Sequence, residues 1–77
     1  MDERIQKVLT EVFNTHQGKF DHSFGPKEIA GWDSLKHLNL IMALQDEFGI
    51  EFGFEEMLEI KVIGDIQDIL TRKFKKA

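Results

Sequence analysis

The apolar positions fall into short helical runs separated by glycine-marked breaks. In the first run Ile5, Val8, Leu9, Val12 and Phe13 recur at i, i+3, i+4, i+7 and i+8, the spacing that places one stripe on one face of an α-helix. It predicts a first helix from Asp2 to about His16, with acids at its start favoured by the helix dipole. From Gln17 to Trp32 the period is lost, and Gly18, Gly25-Pro26 and Gly31 mark irregular backbone. A connection this long has to be anchored in a small domain. Phe20, Phe24 and Ile29 are the residues available for that, and Pro26 to Ala30 has room for one helical turn with Pro26 at its first position. Trp32 is expected to pack beneath the loop, because Trp is highly buried on average.

The next helix, Lys36 to Phe48, is opened by Gly31-Trp32-Asp33-Ser34-Leu35 and carries two apolar stripes. Leu40, Ile41, Leu44 and Phe48 lie on one side, and Leu35, Leu38 and Met42 lie roughly 130° away. Packing on a core needs only the first. The second is read as a surface for partner proteins, formed by Leu35, Lys36, Leu38, Asn39, Met42 and Gln45. Gly49 ends the helix, and Ile50-Glu51-Phe52-Gly53-Phe54 makes a brief alternating connection, too short and isolated for a sheet strand. Glu55 to Ile60 can form one or two helical turns that depend on tertiary contacts, and this segment is expected to be the most mobile ordered part. A last helix should run from Ile63 or Gly64 to Phe74, burying Ile63, Ile66, Ile69, Leu70 and Phe74. The expected fold is all-α: a four-helix bundle of three main helices and a short third, with a long first loop.

A chain of 77 residues is expected to form a single domain spanning 1–77, near the size at which one core is only just sufficient. It has no cysteine, so neither disulfides nor a thiol of its own is available. The formal net charge of −4 argues against nucleic acid, which needs a basic face. No apolar run approaches the ~20 residues of a membrane span. Met1-Asp2-Glu3-Arg4 does not begin a signal peptide, and a cytoplasmic monomer is expected. Charge is unevenly spread: Glu51, Glu55, Glu56, Glu59, Asp65 and Asp68 face only Lys61 in their segment, and Arg72, Lys73, Lys75 and Lys76 then reverse the sign.

Ser34 is the candidate for chemistry. Asp33 stands where an N-cap belongs, able to accept the N–H of Leu35 or Lys36, and Ser34 follows on the first turn. A phosphate ester on its hydroxyl would be favoured by the dipole and by unpaired N–H groups. From these residues alone, simple helix capping explains the pair as well. A hydrolase is disfavoured, since Ser34 and His37 diverge by about 60° on one helix and no Gly-x-Ser-x-Gly elbow appears. His16, His22 and His37 lack metal-ligand spacing, and no metal site is expected. His37 lies at the edge of the core stripe, where partial burial is expected.

Asp33-Ser34-Leu35, followed by Leu38-Asn39-Leu40-Ile41-Met42-Ala43-Leu44, Glu47-Phe48 and Val62-Ile63-Gly64-Asp65-Ile66, resembles the acyl carrier protein family over nearly the whole chain. The resemblance implies phosphopantetheine attached to Ser34 by a Mg²⁺-dependent phosphopantetheinyl transferase using coenzyme A, with Asp33 and Leu35 flanking the attachment. The arm's thiol would then carry acyl groups as thioesters, loaded by a ligase or acyltransferase and passed to acyl-processing enzymes, while the protein catalyses nothing. Peptidyl and aryl carriers of nonribosomal pathways share the bundle, but their motif more often reads Gly-Gly-x-Ser-Leu, so Trp32-Asp33 favours acyl cargo. An unmodified helical adaptor remains the third reading. The second helix departs from the strongly acidic one of many housekeeping carriers, with Lys36, His37, Asn39 and Gln45 in the exposed arc and only Asp46 and Glu47 as acids. That implies a specialised carrier with weaker charge-driven docking. Seven Phe residues, with Phe52-Gly53-Phe54 between the second and third helices, lead to the expectation that long acyl chains are poorly sequestered.

Overall fold

The computed structural model describes residues 3–14 and 18–74, which form α1 (Glu3–Val12), α2 (Ser34–Phe48), α3 (Phe54–Glu59) and α4 (Ile63–Phe74). The described residues contain no strand, in line with the all-α expectation. Helix α1 buries Ile5, Val8, Leu9 and Val12, and it packs chiefly against α2. Helix α2 buries Leu40, Ile41 and Leu44, and α4 buries Ile63, Ile66, Ile69 and Leu70. These residues share one core, and each such fully buried side chain contributes about 1.5–3 kcal/mol. Phe74 departs from the expected set: it is exposed, although its ring still meets Phe48 at 6.3 Å between centroids.

The first helix is regular only to Val12, and the Phe13 N–H adds one more helical bond, to the Leu9 carbonyl. The expected extension to His16 falls partly outside the described residues. A cation from another helix meets the end of α1, because Lys36 Nζ donates to the Val12 carbonyl at 3.1 Å. Terminal carbonyls lack intrahelical donors, so this bond satisfies one of them and joins α1 to the start of α2.

Three devices hold the long first loop. Phe20 and Ile29 are buried, and Phe24 packs against the core from a half-buried position. The Gln6 side chain pairs with both backbone groups of Phe20: Nε2 donates to its carbonyl at 2.8 Å, and Oε1 accepts its N–H at 3.0 Å. The loop carbonyls of Phe24 and His22 then accept the N–H groups of Ile63 and Gly64 at 2.9 and 2.8 Å. The loop therefore caps α4, whose remaining entrance donors, the N–H groups of Lys61 and Val62, go to Asp65 Oδ2. This close approach needs Gly25, where a Cβ would come within 2.9 Å of the Lys61 carbonyl oxygen. The expected turn forms with Pro26 at its first position, the Glu28 and Ile29 N–H groups both bonding to the Gly25 carbonyl that precedes it.

Helix α2 ends at Gly49, whose left-handed backbone (φ 64°, ψ 37°) lets its N–H reach the Gln45 carbonyl. The six-residue α3 buries no residue completely. It is secured by Lys73–Glu56 and Arg72–Glu59 pairs from α4, at 2.8 and 2.6 Å, and by half-buried Met57. Glu47, which the sequence pattern leaves as an exposed acid, receives Arg4 at 3.1 Å and Lys7 at 3.2 Å from α1.

Bonds from Arg4 and then Lys7 hold the Glu47 carboxyl below the usual range, and bonds from Lys73 and then the Gly53 N–H do the same for Glu56. A carboxyl whose folded pKa is depressed stabilises the fold above its ordinary pKa, here 4.5, and loses that contribution as pH falls through the folded value. Urea titrations should show E47Q with a lower midpoint than wild type at pH 7. The gap should shrink below pH 4.5 and vanish once wild-type Glu47 is itself protonated. A gap that persists unchanged in acid would refute this assignment.

Candidate functional site

The site lies where the loop enters α2. Asp33 has extended backbone (φ −109°, ψ −171°), and its Oδ1 accepts the Lys36 N–H at 2.8 Å while its carbonyl accepts that of His37 at 2.8 Å. The His37 bond is the first of the helix itself; of the four donors that a helix start leaves without an intrahelical acceptor, Lys36 is satisfied by the Asp33 carboxylate and the Asp33 N–H by the Gly31 carbonyl at 2.9 Å. The N–H groups of Ser34 and Leu35 keep no acceptor among the described residues. Ser34 is exposed as the first residue of α2, so its hydroxyl stands beside two unpaired donors at the positive end of the dipole. A phosphate ester fits that environment.

Beneath Ser34, a histidine holds three elements together. Trp32 is buried at 8% exposure and packs on Phe13 with ring centroids 5.3 Å apart. Its Nε1–H donates to His37 Nδ1 at 3.0 Å. An Nδ1 that accepts leaves the ring proton on Nε2, which donates to the Met57 carbonyl at 2.9 Å. One half-buried imidazole thus ties the loop, α2 and the end of α3. Because both its nitrogens are engaged, it is not a base for Ser34, and no nucleophile–base pair exists here. Pro26, Trp32, Asp33, Ser34, His37, Leu58 and Ile60 line a groove beside the hydroxyl.

The other residues singled out from sequence take different positions. Leu35, Leu38 and Met42 are exposed at 66%, 45% and 56%, and Asn39 is exposed with them. Lys36 is tethered to Val12, and Gln45 Oε1 accepts the Phe52 N–H at 3.0 Å, fixing the connection after α2. The two phenylalanines of that connection point opposite ways: Phe52 is buried at 8% exposure, and Phe54 is 72% exposed. Sequence reasoning did not find Leu58, also exposed and lining the groove by Ser34. Its spacing of four from Phe54 was the available signal, since such residues share a helix face. Met57 acts through its backbone carbonyl, for which no sequence signal exists. Among the described residues no cluster of His, Cys, Asp or Glu could hold a metal ion, and no helix is long and apolar enough to cross a membrane.

The family model described as the phosphopantetheine attachment site matches residues 3–70. An acyl carrier protein of Buchnera aphidicola subsp. Acyrthosiphon pisum is 34% identical over 73 residues, covering 95% of this chain and 91% of its own. An acyl carrier protein of Thermosynechococcus vestitus is 30% identical over 71 residues, covering 92% and 88%. Among solved structures, the holo acyl carrier protein from Geobacter metallireducens superposes with a TM-score of 0.80 at 28% identity, covering 97% of this chain and 91% of that one.

Replacing His37 by alanine would leave the buried Trp32 N–H without its acceptor, at a cost of about 1–3 kcal/mol. H37A should melt lower than wild type, and the emission of Trp32, the one tryptophan, should move to longer wavelength. Unchanged melting and emission would show that the bridge carries no weight.

Proposed function

This chain belongs to the acyl carrier protein family, and we propose that Ser34 is its point of phosphopantetheine attachment. The family's members are carriers, not enzymes, and they hold acyl groups on a covalently attached phosphopantetheine. When bound, that group supplies a thiol for thioester linkage, which a chain without cysteine cannot supply itself. The observation that carries the assignment is an exposed Ser34 hydroxyl at a helix entrance where two N–H donors have no acceptor among the described residues. Asp33 supports it by holding the first turn in shape, and Leu35 borders it as an exposed apolar contact.

The family implies a phosphopantetheinyl transferase and acyl-processing enzymes as partners. The finer reading is that these enzymes meet Leu35, Leu38, Asn39 and Met42, with Lys36 and Gln45 at the margin of that face, and that a dedicated ligase or acyltransferase loads the arm in the cytoplasm. A specialised rather than housekeeping role is supported by the pairing of Glu47 with Arg4 and Lys7. It leaves Asp46 as the only acid on α2 without an ion pair among the described residues. A buried Phe52 supports the reading that long acyl chains are not folded into the core, because interiors are close-packed and adding volume displaces what is there.

Incubation with a phosphopantetheinyl transferase, Mg²⁺ and coenzyme A should raise the intact mass by one phosphopantetheine. S34A, in which only an exposed hydroxyl is lost, should stay folded and gain nothing. A wild-type chain that stays at its unmodified mass, or an S34A chain that gains the group, would overturn the assignment.

A further inference from the structure

We propose that His37 is a proton-operated latch on the segment leading into Ser34: neutral, it holds Trp32 in place, and protonated, it releases Trp32 while keeping its hold on α3. The two bonds of the ring respond to a proton in opposite ways. Nδ1 accepts the Trp32 Nε1–H at 3.0 Å, and Nε2 carries the ring proton toward the Met57 carbonyl at 2.9 Å. The site left for a further proton is therefore the Nδ1 lone pair, which the indole already occupies. Once that nitrogen is protonated, two N–H groups point at each other and the Trp32 bond is lost. The Met57 bond becomes charge-assisted and strengthens.

Released, the indole keeps its packing on Phe13 but has no second acceptor among the described residues. A buried N–H without a partner is costly, which drives the ring edge toward water in the groove that Trp32, His37 and Ser34 line together. Gly31, directly before Trp32, gives the segment room to turn: its backbone is left-handed (φ 84°), and nothing lies within 4 Å of where a Cβ would be. His37 is half-buried on the same groove, so a proton reaches it from solvent. Asp33 is the one charged side chain lining that groove, and its carboxylate is engaged by the Lys36 N–H. The Lys36 ammonium turns away to Val12. On α3, Glu56 and Glu59 turn to Lys73 and Arg72, and Glu55 is exposed. Imidazole changes charge between about pH 5 and 8, above the range of ordinary carboxylates, so a response in that window belongs to a histidine.

Trp32, the one tryptophan of the chain, reports its own release. Between pH 7.5 and 5.5, a window in which imidazole charges, wild-type emission should move to longer wavelength and its quenching by acrylamide should rise, with far-UV helical content unchanged. His37→Gln offers an amide oxygen and an amide N–H that do not titrate, and its emission should be the same at both pH values. His16→Gln with His22→Gln should respond as wild type does. By NMR, the Trp32 indole proton and the His37 ring protons of the wild-type chain should move along one titration curve, a measurement that needs no variant to fold. The proposal is overturned by a wild-type emission that does not move, by a response that survives His37→Gln or is lost with His16 and His22, by two separate NMR curves, or by loss of helix alongside the shift.

Discussion

The hydrogen bonds on the two nitrogens of His37 decide what surrounds Ser34. One nitrogen accepts from buried Trp32, and the other donates to the last turn of α3. That single ring fixes where the long loop enters α2, and it sets how closely α3 lies along it. Without it the six-residue α3, which buries no residue completely, would rely on half-buried Met57 and on ion pairs to α4, and such pairs are individually weak. Ser34 can then be exposed while the residue two before it is buried. The contrast gives a group attached there both a rigid base and free movement.

The same frame divides α2 into working faces. Its inner stripe is held by α1 and the shared core, and its outer stripe has been left apolar and open. Polar side chains that could have served at the surface are committed to the fold instead. Lys36 closes the end of α1, Gln45 holds the connection after α2, and Glu47 joins α2 to α1. The surface near Ser34 is consequently less charged than a net charge of −4 suggests.

Much of this was legible in the chain because it is local. Helical period alone separates Leu40, Ile41 and Leu44 from Leu35, Leu38 and Met42, and the cap at Asp33 and the stop at Gly49 are set by neighbouring residues. What was not legible depends on approach between distant segments. Gln6 bonding Phe20, Lys36 reaching Val12, and Arg4 with Lys7 closing on Glu47 span fourteen to more than forty residues, and nothing in the local pattern distinguishes those side chains from solvated ones. Alternation would put Phe52 and Phe54 on one face, but Phe54 already begins α3, so that only Phe52 turns inward. At the site, the serine and its cap could be read directly, whereas the roles of His37, the Met57 carbonyl and Leu58 required the position of α3.

The central claim is that the hydroxyl of Ser34 tethers the arm, and its most direct test is the protein taken from its native cells. Trypsin cleaves after Lys27 and Lys36, which releases residues 28–36 with Ser34 as their only hydroxyl-bearing side chain. Fragmentation of that peptide should place a phosphopantetheine, free or acylated, on Ser34. Recovery of 28–36 only in unmodified form, from cells whose other carriers bear the arm, would contradict the account.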